Sequence, residues 1–301
     1  MPRGIAYAAL AYICWGLFPL YFQPLAAIAP AEVVMHRVVW SLVFLLVLLA
    51  VRRQWAWLVP VLSQPKLLLT FGASALLLAG NWGVYIWAVT NGRVLEASLG
   101  YFITPLVNVM LGTTVLHERL RTAQWAALSL AAAGVVWLTV QGGQLPWIAL
   151  VLAASFGTYG LLRKVAPLGA LEGLTLETLL LAPIALVALA WWWMQGTSAA
   201  AAADGQTLLW LVGVGPVTAI PLLLFAAGAR RITMTTLGLL QYLGPTIQFG
   251  LGVWLFREPL TAPRLVGFCF IWGALLLYSA DGWRVARRTA ARQDPAKASP
   301  A

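Results

Sequence analysis

Charged side chains are scarce in this chain. Asp, Glu, Lys and Arg together make up 9% of its 301 residues, while hydrophobic residues make up 61%. Soluble domains carry about 25% charge, so a water-facing surface could not be built from it. Histidine occurs only at His36 and His117, and cysteine only at Cys14 and Cys269. Neither cysteine sits in a CxxC pair or beside a second ligand, so both read as small packing residues and no metal site is expected. No HExxH, GxSxG or Walker pattern occurs. The chain therefore offers no nucleophile with a base and no phosphate loop, and neither an enzyme nor a cofactor is expected. The same shortage argues against a nucleotide-driven pump. A net charge of +10 would suit nucleic acid. The positive residues, however, are scattered between apolar stretches, with a final cluster at Arg284, Arg287, Arg288, Arg292 and Lys297. That is how a membrane protein marks its cytoplasmic side. The expected partner is a lipid bilayer, not nucleic acid.

What is abundant is apolar sequence in spanning lengths. About 20 residues at 1.5 Å rise cross a ~30 Å hydrocarbon core. Ten segments qualify: 4–22, 32–51, 67–89, 95–116, 122–140, 145–162, 172–193, 207–228, 233–256 and 261–280. They are apolar all round, where a soluble helix would keep a charged face. The expected fold is an all-α membrane protein with ten transmembrane helices. Gly213, Gly215, Pro216 and Pro221 should bend the eighth, leaving neighbours to satisfy the freed backbone groups. Arg3 followed by an apolar run also has the form of a signal peptide, but ordinary spans follow, so an uncleaved first helix is expected. Residues 199–203 with Asp204 read as a flexible outer loop, and 284–301 as a basic, disordered cytoplasmic tail.

Lys and Arg set the orientation. With the N-terminus in the cytoplasm, the outer segments hold only Arg93, Arg257 and Arg264 of the 19 Lys and Arg. Arg37 lies inside a span and all the others fall on inner segments, so both termini are expected inside. Trp55 and Trp57 on the inside, and Trp191 to Trp193 on the outside, fit interfacial belts.

A duplication runs through the chain. At an offset of 140, Leu99 falls on Leu239, Pro105 on Pro245, Leu111 on Leu251, Gly112 on Gly252, Glu118 on Glu258 and Leu120 on Leu260. Asn108 falls on Gln248, Phe102 on Tyr242 and Glu32 on Glu172; Trp15-Gly16 falls near Phe156-Gly157. The halves are 1–140 and 141–283, each with five spans. Five is odd, so the second half must insert upside down. An inverted repeat suits alternating access, with a solute bound near the midplane between the halves. Pro105 and Pro245 would bend the fourth and ninth helices and help to wall a cavity.

The motifs HRVVWS at 36–41, NWGVYIWAV at 81–89, LEASLGYFITPLVN at 95–108, ETLLLAP at 177–183 and LQYLGPT at 240–246 extend over most of the chain. In them the sequence resembles the drug/metabolite transporter superfamily, in its ten-helix, two-repeat EamA type, and within it the RarD-like branch. That resemblance implies a permease of the bacterial cytoplasmic (inner) membrane with a central cavity and cytoplasmic termini. It favours export, with import as the alternative. His117 departs from the family pattern, in which a small residue commonly precedes the Glu.

Ionisable groups within spans are costly and face the bundle interior. The second span runs inward, placing Glu32, His36 and Arg37 in its outer half; Glu96 begins the fourth span from the outside, and Glu177 lies early in the seventh, from the inside. His36 and Glu177 thus differ in depth by about 15 Å and should not pair. Two clusters are expected: an outer one joining His36 or Arg37 to Glu96, and an inner one joining Glu177 to Arg163, Lys164 or Arg230. They would either gate the two mouths or pair statically. Glu118 and Glu258 should cap the helices that follow them, at Thr122 and Thr261, or bond turn amides.

The expected cavity lining is Trp15, Asn81, Trp82, Tyr85, Tyr101, Phe102, Asn108, Gln241, Tyr242 and Gln248, aromatic faces for the body of a solute and amides for its polar ends. Sparse charge disfavours a polyanion. A small amphiphile, such as an amino-acid-like metabolite or drug, fits better. A receptor or scaffold is the rival reading, though the chain has no sizeable soluble domain to pass on a signal. Small residues at 131–134, Gly267 and Gly273 could pack helix on helix, so a homodimer is left open.

Overall fold

The computed structural model describes residues 2–53, 55–115, 121–165, 167–229, 231 and 240–293. Among these the backbone is helical throughout, with short connections. The helices are α1 (Pro2–Gly16), α2 (Phe18–Phe22), α3 (Pro30–Arg52), α4 (Leu58–Leu62), α5 (Pro65–Thr90), α6 (Val94–Thr114), α7 (Thr122–Gly142), α8 (Trp147–Val165), α9 (Ala170–Met194), α10 (Gly205–Ala229), α11 (Leu243–Gly250) and α12 (Ala262–Gln293). A 3₁₀ turn, Gln23–Leu25, extends α2, and a π-helical turn, Leu251–Leu255, extends α11.

Local chemistry explains many of the boundaries. α3 and α5 each begin on a proline at the first helical position, where no N–H is needed. Gly143, at φ 64°, ends α7 in a left-handed conformation that suits a residue without Cβ. Asp204 accepts the Thr207 amide at 2.8 Å ahead of α10, and the Thr207 contacts hold its carboxyl below the usual range.

Six helices, α3, α5, α7, α9, α10 and α12, are individually long and apolar enough to cross a membrane, and α1 with the α2 segment adds a seventh candidate, bent by 43°. Two shorter apolar stretches lie in α6 and α8, at Val94–Thr104 and Trp147–Arg163. Apolar side chains cover the outside: Leu69, Val187, Trp254 and Leu276 are all exposed, as expected when the solvent is lipid. One apolar core gathers α2, α3, α5, α8, α9 and α10; a second gathers α6, α7, α8 and α12. The main helix pairings are α7 with α12, α6 with α8, α3 with α10 and α9, α1 with α10 and α11, α5 with α8 and α9, and α6 with α11.

α10 is one continuous helix with Pro216 and Pro221 inside it; the Thr218 hydroxyl donates to the Val214 carbonyl at 2.7 Å and the Ser41 hydroxyl of α3 to that of Gly215 at 3.4 Å, so side chains serve carbonyls in the proline-bearing stretch. The helical run pauses at Tyr242, and Pro245 occupies the first turn of α11; residues 232–239, which precede it, lie outside the described residues. Other expectations need correction. The segment expected as a tail is helical as far as Gln293, in keeping with the helix propensity of its Ala and Arg residues. The small residues of α7 and α12 pack within the chain: a Cβ on Gly134 would lie 2.8 Å from Phe270 Cβ and 3.3 Å from the Gly267 carbonyl. Gly134 and Gly267 thus serve the packing of α7 on α12 within the chain.

Candidate functional site

A cavity lies inside the bundle. On α5, Leu78, Asn81, Trp82 and Tyr85 recur at helical spacing and so share one face. Tyr12 and Trp15 of α1, Phe18 of α2 and Arg37 of α3 join them. Tyr101 of α6, Phe156 of α8 and Leu222 of α10 contribute further, and Gln241, Gly244, Pro245 and Gln248 close the ring. Its free volume is about 80 Å³, room for a few waters, so a larger solute requires the helices to part.

The polar groups are held in place. Asn81 Nδ2 donates to the Leu152 carbonyl at 3.1 Å and to Ser155 Oγ at 2.9 Å, while its Oδ1 accepts from the Tyr101 hydroxyl at 3.4 Å. Gln248 Nε2 donates to the Trp15 carbonyl at 2.9 Å, tying α11 to α1. The Arg37 guanidinium lies 4.0 Å from the Trp82 ring centroid, 5.5 Å from Phe18 and 5.6 Å from Phe22.

Of the expected lining, Trp15, Asn81, Trp82, Tyr85, Tyr101, Gln241 and Gln248 meet at this cavity. Phe102 and Tyr242 do not line it. Phe102 is buried edge-to-face against Phe268 and Trp272 of α12, and Tyr242 packs on the same second core. Each follows a lining residue, and successive residues on a helix point about 100° apart. The side chains of Asn108, Pro105 and Lys164 lie outside what is described, and so do Arg230, Glu118 and His117 altogether. Arg37, expected at a gate, lines the cavity. Tyr12, Phe18, Leu78 and Leu222 also line it and carried no signal, being apolar or aromatic residues in apolar spans. Phe156 did carry one, since it falls near Trp15 in the expected duplication.

The charged clusters differ from expectation on the outer side. Glu96 reaches neither His36 nor Arg37. It pairs with Arg93 at 3.6 Å and Arg264 at 3.8 Å, because Arg37 turns inward onto aromatic rings. His36 is half-buried, with neither ring nitrogen bonded. Glu258 caps neither Thr261 nor its own turn. Its carboxylate accepts the amides of Val94 at 2.5 Å and Leu95 at 3.0 Å, at the start of α6, where the helix dipole favours an anion. Burial pushes the Glu258 carboxyl above its usual range while the two amides pull it down. Arg257, at φ 52°, turns the chain into this position. Glu258→Gln presents an amide donor where two N–H groups need acceptors. It should cost about 1–3 kcal/mol, checked by the melting temperature of the purified protein, with Glu96→Gln, at a partly exposed ion pair, changing it little.

On the inner side Glu177, 1% exposed, lies 3.9 Å from Arg163 Nε, accepts the Ser74 hydroxyl at 2.7 Å and the Tyr159 hydroxyl at 3.4 Å. Arg163 also donates to the Gly169 carbonyl at 3.0 Å. Gly173 leaves the space its guanidinium fills, since a Cβ there would land on it. Glu32 is likewise compensated: its carboxylate accepts the Ser198 hydroxyl at 2.8 Å and the Ala199 and Ala200 amides at 3.0 and 3.1 Å. The loop expected to be flexible is thus fastened onto α3.

Residues 2–140 match the EamA-like transporter family. An uncharacterized transporter of Pseudomonas aeruginosa is 49% identical over 286 residues, covering 95% of this chain and 96% of that protein. Protein RarD of Streptomyces exfoliatus is 46% identical over 294 residues, covering 97% and 93%. The chain belongs to the EamA-like transporter family, in its RarD-like branch. A solved crystal structure 21% identical superposes with a TM-score of 0.60, covering 95% of this chain and 99% of that one, and shows that the fold is shared. This EamA-like protein is therefore a multi-pass membrane transporter of the drug/metabolite type, and its family is not a catalytic one. Its surroundings are the bilayer, and its cargo is a small molecule.

Proposed function

We propose that the chain is a secondary permease that moves a small amphiphilic solute, such as an amino-acid-like metabolite or a drug, by alternating access between two inverted five-helix repeats. The observation that carries this is a polar and aromatic cavity on which helices from both halves converge, inside a bundle whose outside is apolar.

The helix pairing supports the two-fold relation. Let α1 correspond to α8, α3 to α9, α5 to α10, α6 to α11 and α7 to α12. Then α1 on α10 mirrors α8 on α5, α3 on α10 mirrors α9 on α5, and α6 on α8 mirrors α11 on α1. The pairs α3–α9, α6–α11 and α7–α12 map onto themselves. Residues one repeat apart also share the cavity: Trp15 with Phe156, and Tyr101 with Gln241. The family match ends at residue 140, the proposed boundary. Ten crossings place both termini in the cytoplasm, in the inner membrane, and we take the direction as export.

In this reading the cavity is the central site. The Glu96–Arg264 pair and the Glu258 contact to α6 close the outer mouth, each joining the two halves. The Glu177 cluster, joined by Ser74 of the first half, closes the inner one.

Purified protein in liposomes preloaded with an unlabelled solute should take up the same solute, labelled, faster than it equilibrates in empty liposomes. The panel spans amino-acid-like metabolites and drugs. A receptor or scaffold would show no such counterflow with any member. Tag fusions should report both termini on the cytoplasmic face; opposite faces would leave an odd number of crossings and end the two-repeat reading.

A further inference from the structure

Arg37 presents a problem that the cavity's own residues do not solve. It is a permanent cation, 3% exposed, within an apolar bundle. Other buried charges are compensated: Glu177 by Arg163 and two hydroxyls, Glu32 by a hydroxyl and two amides, Glu258 by two amides. Arg37 has the faces of Trp82, Phe18 and Phe22, which offset part of its desolvation. Yet among the described residues no Asp or Glu lines the cavity, and none offers a hydrogen-bond acceptor to Nε or Nη1 of Arg37. Two more buried groups on the same lining are unmet, the Tyr85 hydroxyl and Gln248 Oε1. Buried polar groups are nearly always bonded. Three unmet ones around a single cavity in a transporter indicate that the missing partner is the cargo.

We infer that Arg37 is the anchor for an anionic group on the solute, and that the substrate class is a small organic monocarboxylate with an apolar body. The carboxylate accepts hydrogen bonds from Arg37 and from the Tyr85 hydroxyl. The apolar body lies against Trp15 and Phe156. An N–H, where the solute carries one, donates to Gln248 Oε1. One cation permits one anion: a second negative charge would enter an aromatic cavity with nothing to neutralise it. The inference rests on the reading of this cavity as the solute site and names what enters it.

A matched pair of probes tests it, 3-phenylpropanoate and its neutral isostere 3-phenylpropanamide, with full-length protein in nanodiscs for binding and in liposomes for counterflow. The acid should bind at least about ten-fold more tightly than the amide, the effect of a charge-assisted hydrogen bond in a dry site. Arg37→Met should erase that preference and raise the melting temperature, because it removes a buried cation that the protein leaves unpaired. Arg37→Lys should keep part of the preference. Equal binding of acid and amide by the unaltered protein, which needs no variant to fold, overturns the inference; so does a preference that survives in Arg37→Met. Counterflow of the amide as rapid as that of the acid would discard the anchor and leave the permease standing. No counterflow of either probe or of any member of the wider panel would remove the permease, and the anchor with it.

Discussion

Arg163→Ala should destabilise the protein by about 3–5 kcal/mol, the effect of stripping the partner from a buried ion. Glu177 is 1% exposed and would keep only the Ser74 and Tyr159 hydroxyls. Glu177→Gln removes the charge instead and should cost less, because Arg163 retains the Gly169 carbonyl and the face of Phe71 at 5.2 Å. The double variant should recover part of the loss, since it leaves no unpaired carboxylate. Gly173→Ala tests the same pair without touching either partner: a methyl group would occupy the place of the Arg163 guanidinium, so that side chain must swing away from Glu177. Thermal or denaturant unfolding of the four variants forms the comparison. An Arg163→Ala protein that melts with the unaltered one would show that the carboxylate was never dependent on this cation. Transport separates a gate from a static pair. If the cluster must break and reform, Glu177→Gln changes the counterflow rate; normal rates in both Glu177→Gln and Glu96→Gln would sink the gating idea while leaving the stability result intact.

Gly215→Ala should be among the most disruptive single methyl additions in the chain. A Cβ at Gly215 would sit 2.7 Å from Ser41 N and nearer still to the Trp40 carbonyl. Those are backbone atoms of α3, and they cannot rotate aside as a side chain can. α3 and α10 would have to separate, at a cost of about 1–3 kcal/mol or more for an overpacked core, with loss of the Ser41 to Gly215 hydrogen bond. The measurement is the yield of monodisperse protein in detergent together with its melting temperature. Gly80→Ala is the control. Gly80 faces outward on α5 with nothing within 4 Å of its would-be Cβ, and the change should be neutral or stabilising by up to about 1 kcal/mol. Equal behaviour of the two variants would mean that α3 and α10 do not meet as closely as described.

The sequence conveyed some parts of this molecule better than others. Trp15, Asn81, Trp82, Tyr85, Tyr101, Gln241 and Gln248 were legible as cavity residues because amides and aromatics in apolar spans need a reason to be there. Phe102 and Tyr242 satisfied the same criterion and face a second core, since hydropathy does not record which way a helix is turned. Depth alone placed Glu177 in an inner cluster with Arg163, Lys164 or Arg230, and the structure pairs it with Arg163. Depth did not settle the outer pairing: Glu96 had several cations at similar depth, and only rotation about the helix axes decided between Arg37 and Arg264. Glu258 was recognised as a capping residue, but the helix it reaches is remote in the chain.

By itself, then, the sequence determined that the chain lies in a membrane and which family it joins. These depend on composition, length and spacing, which are properties of the chain read in one dimension. The tertiary structure alone decided that Arg37 looks into the cavity without a carboxylate beside it, that Glu258 and Glu32 each fasten a segment of the opposite half, and that Gly215 lets two helices touch. Each of these depends on the azimuth of a helix against its neighbour. In an apolar bundle that angle is set by the fit of side chains across the interface, and no single segment's sequence contains it.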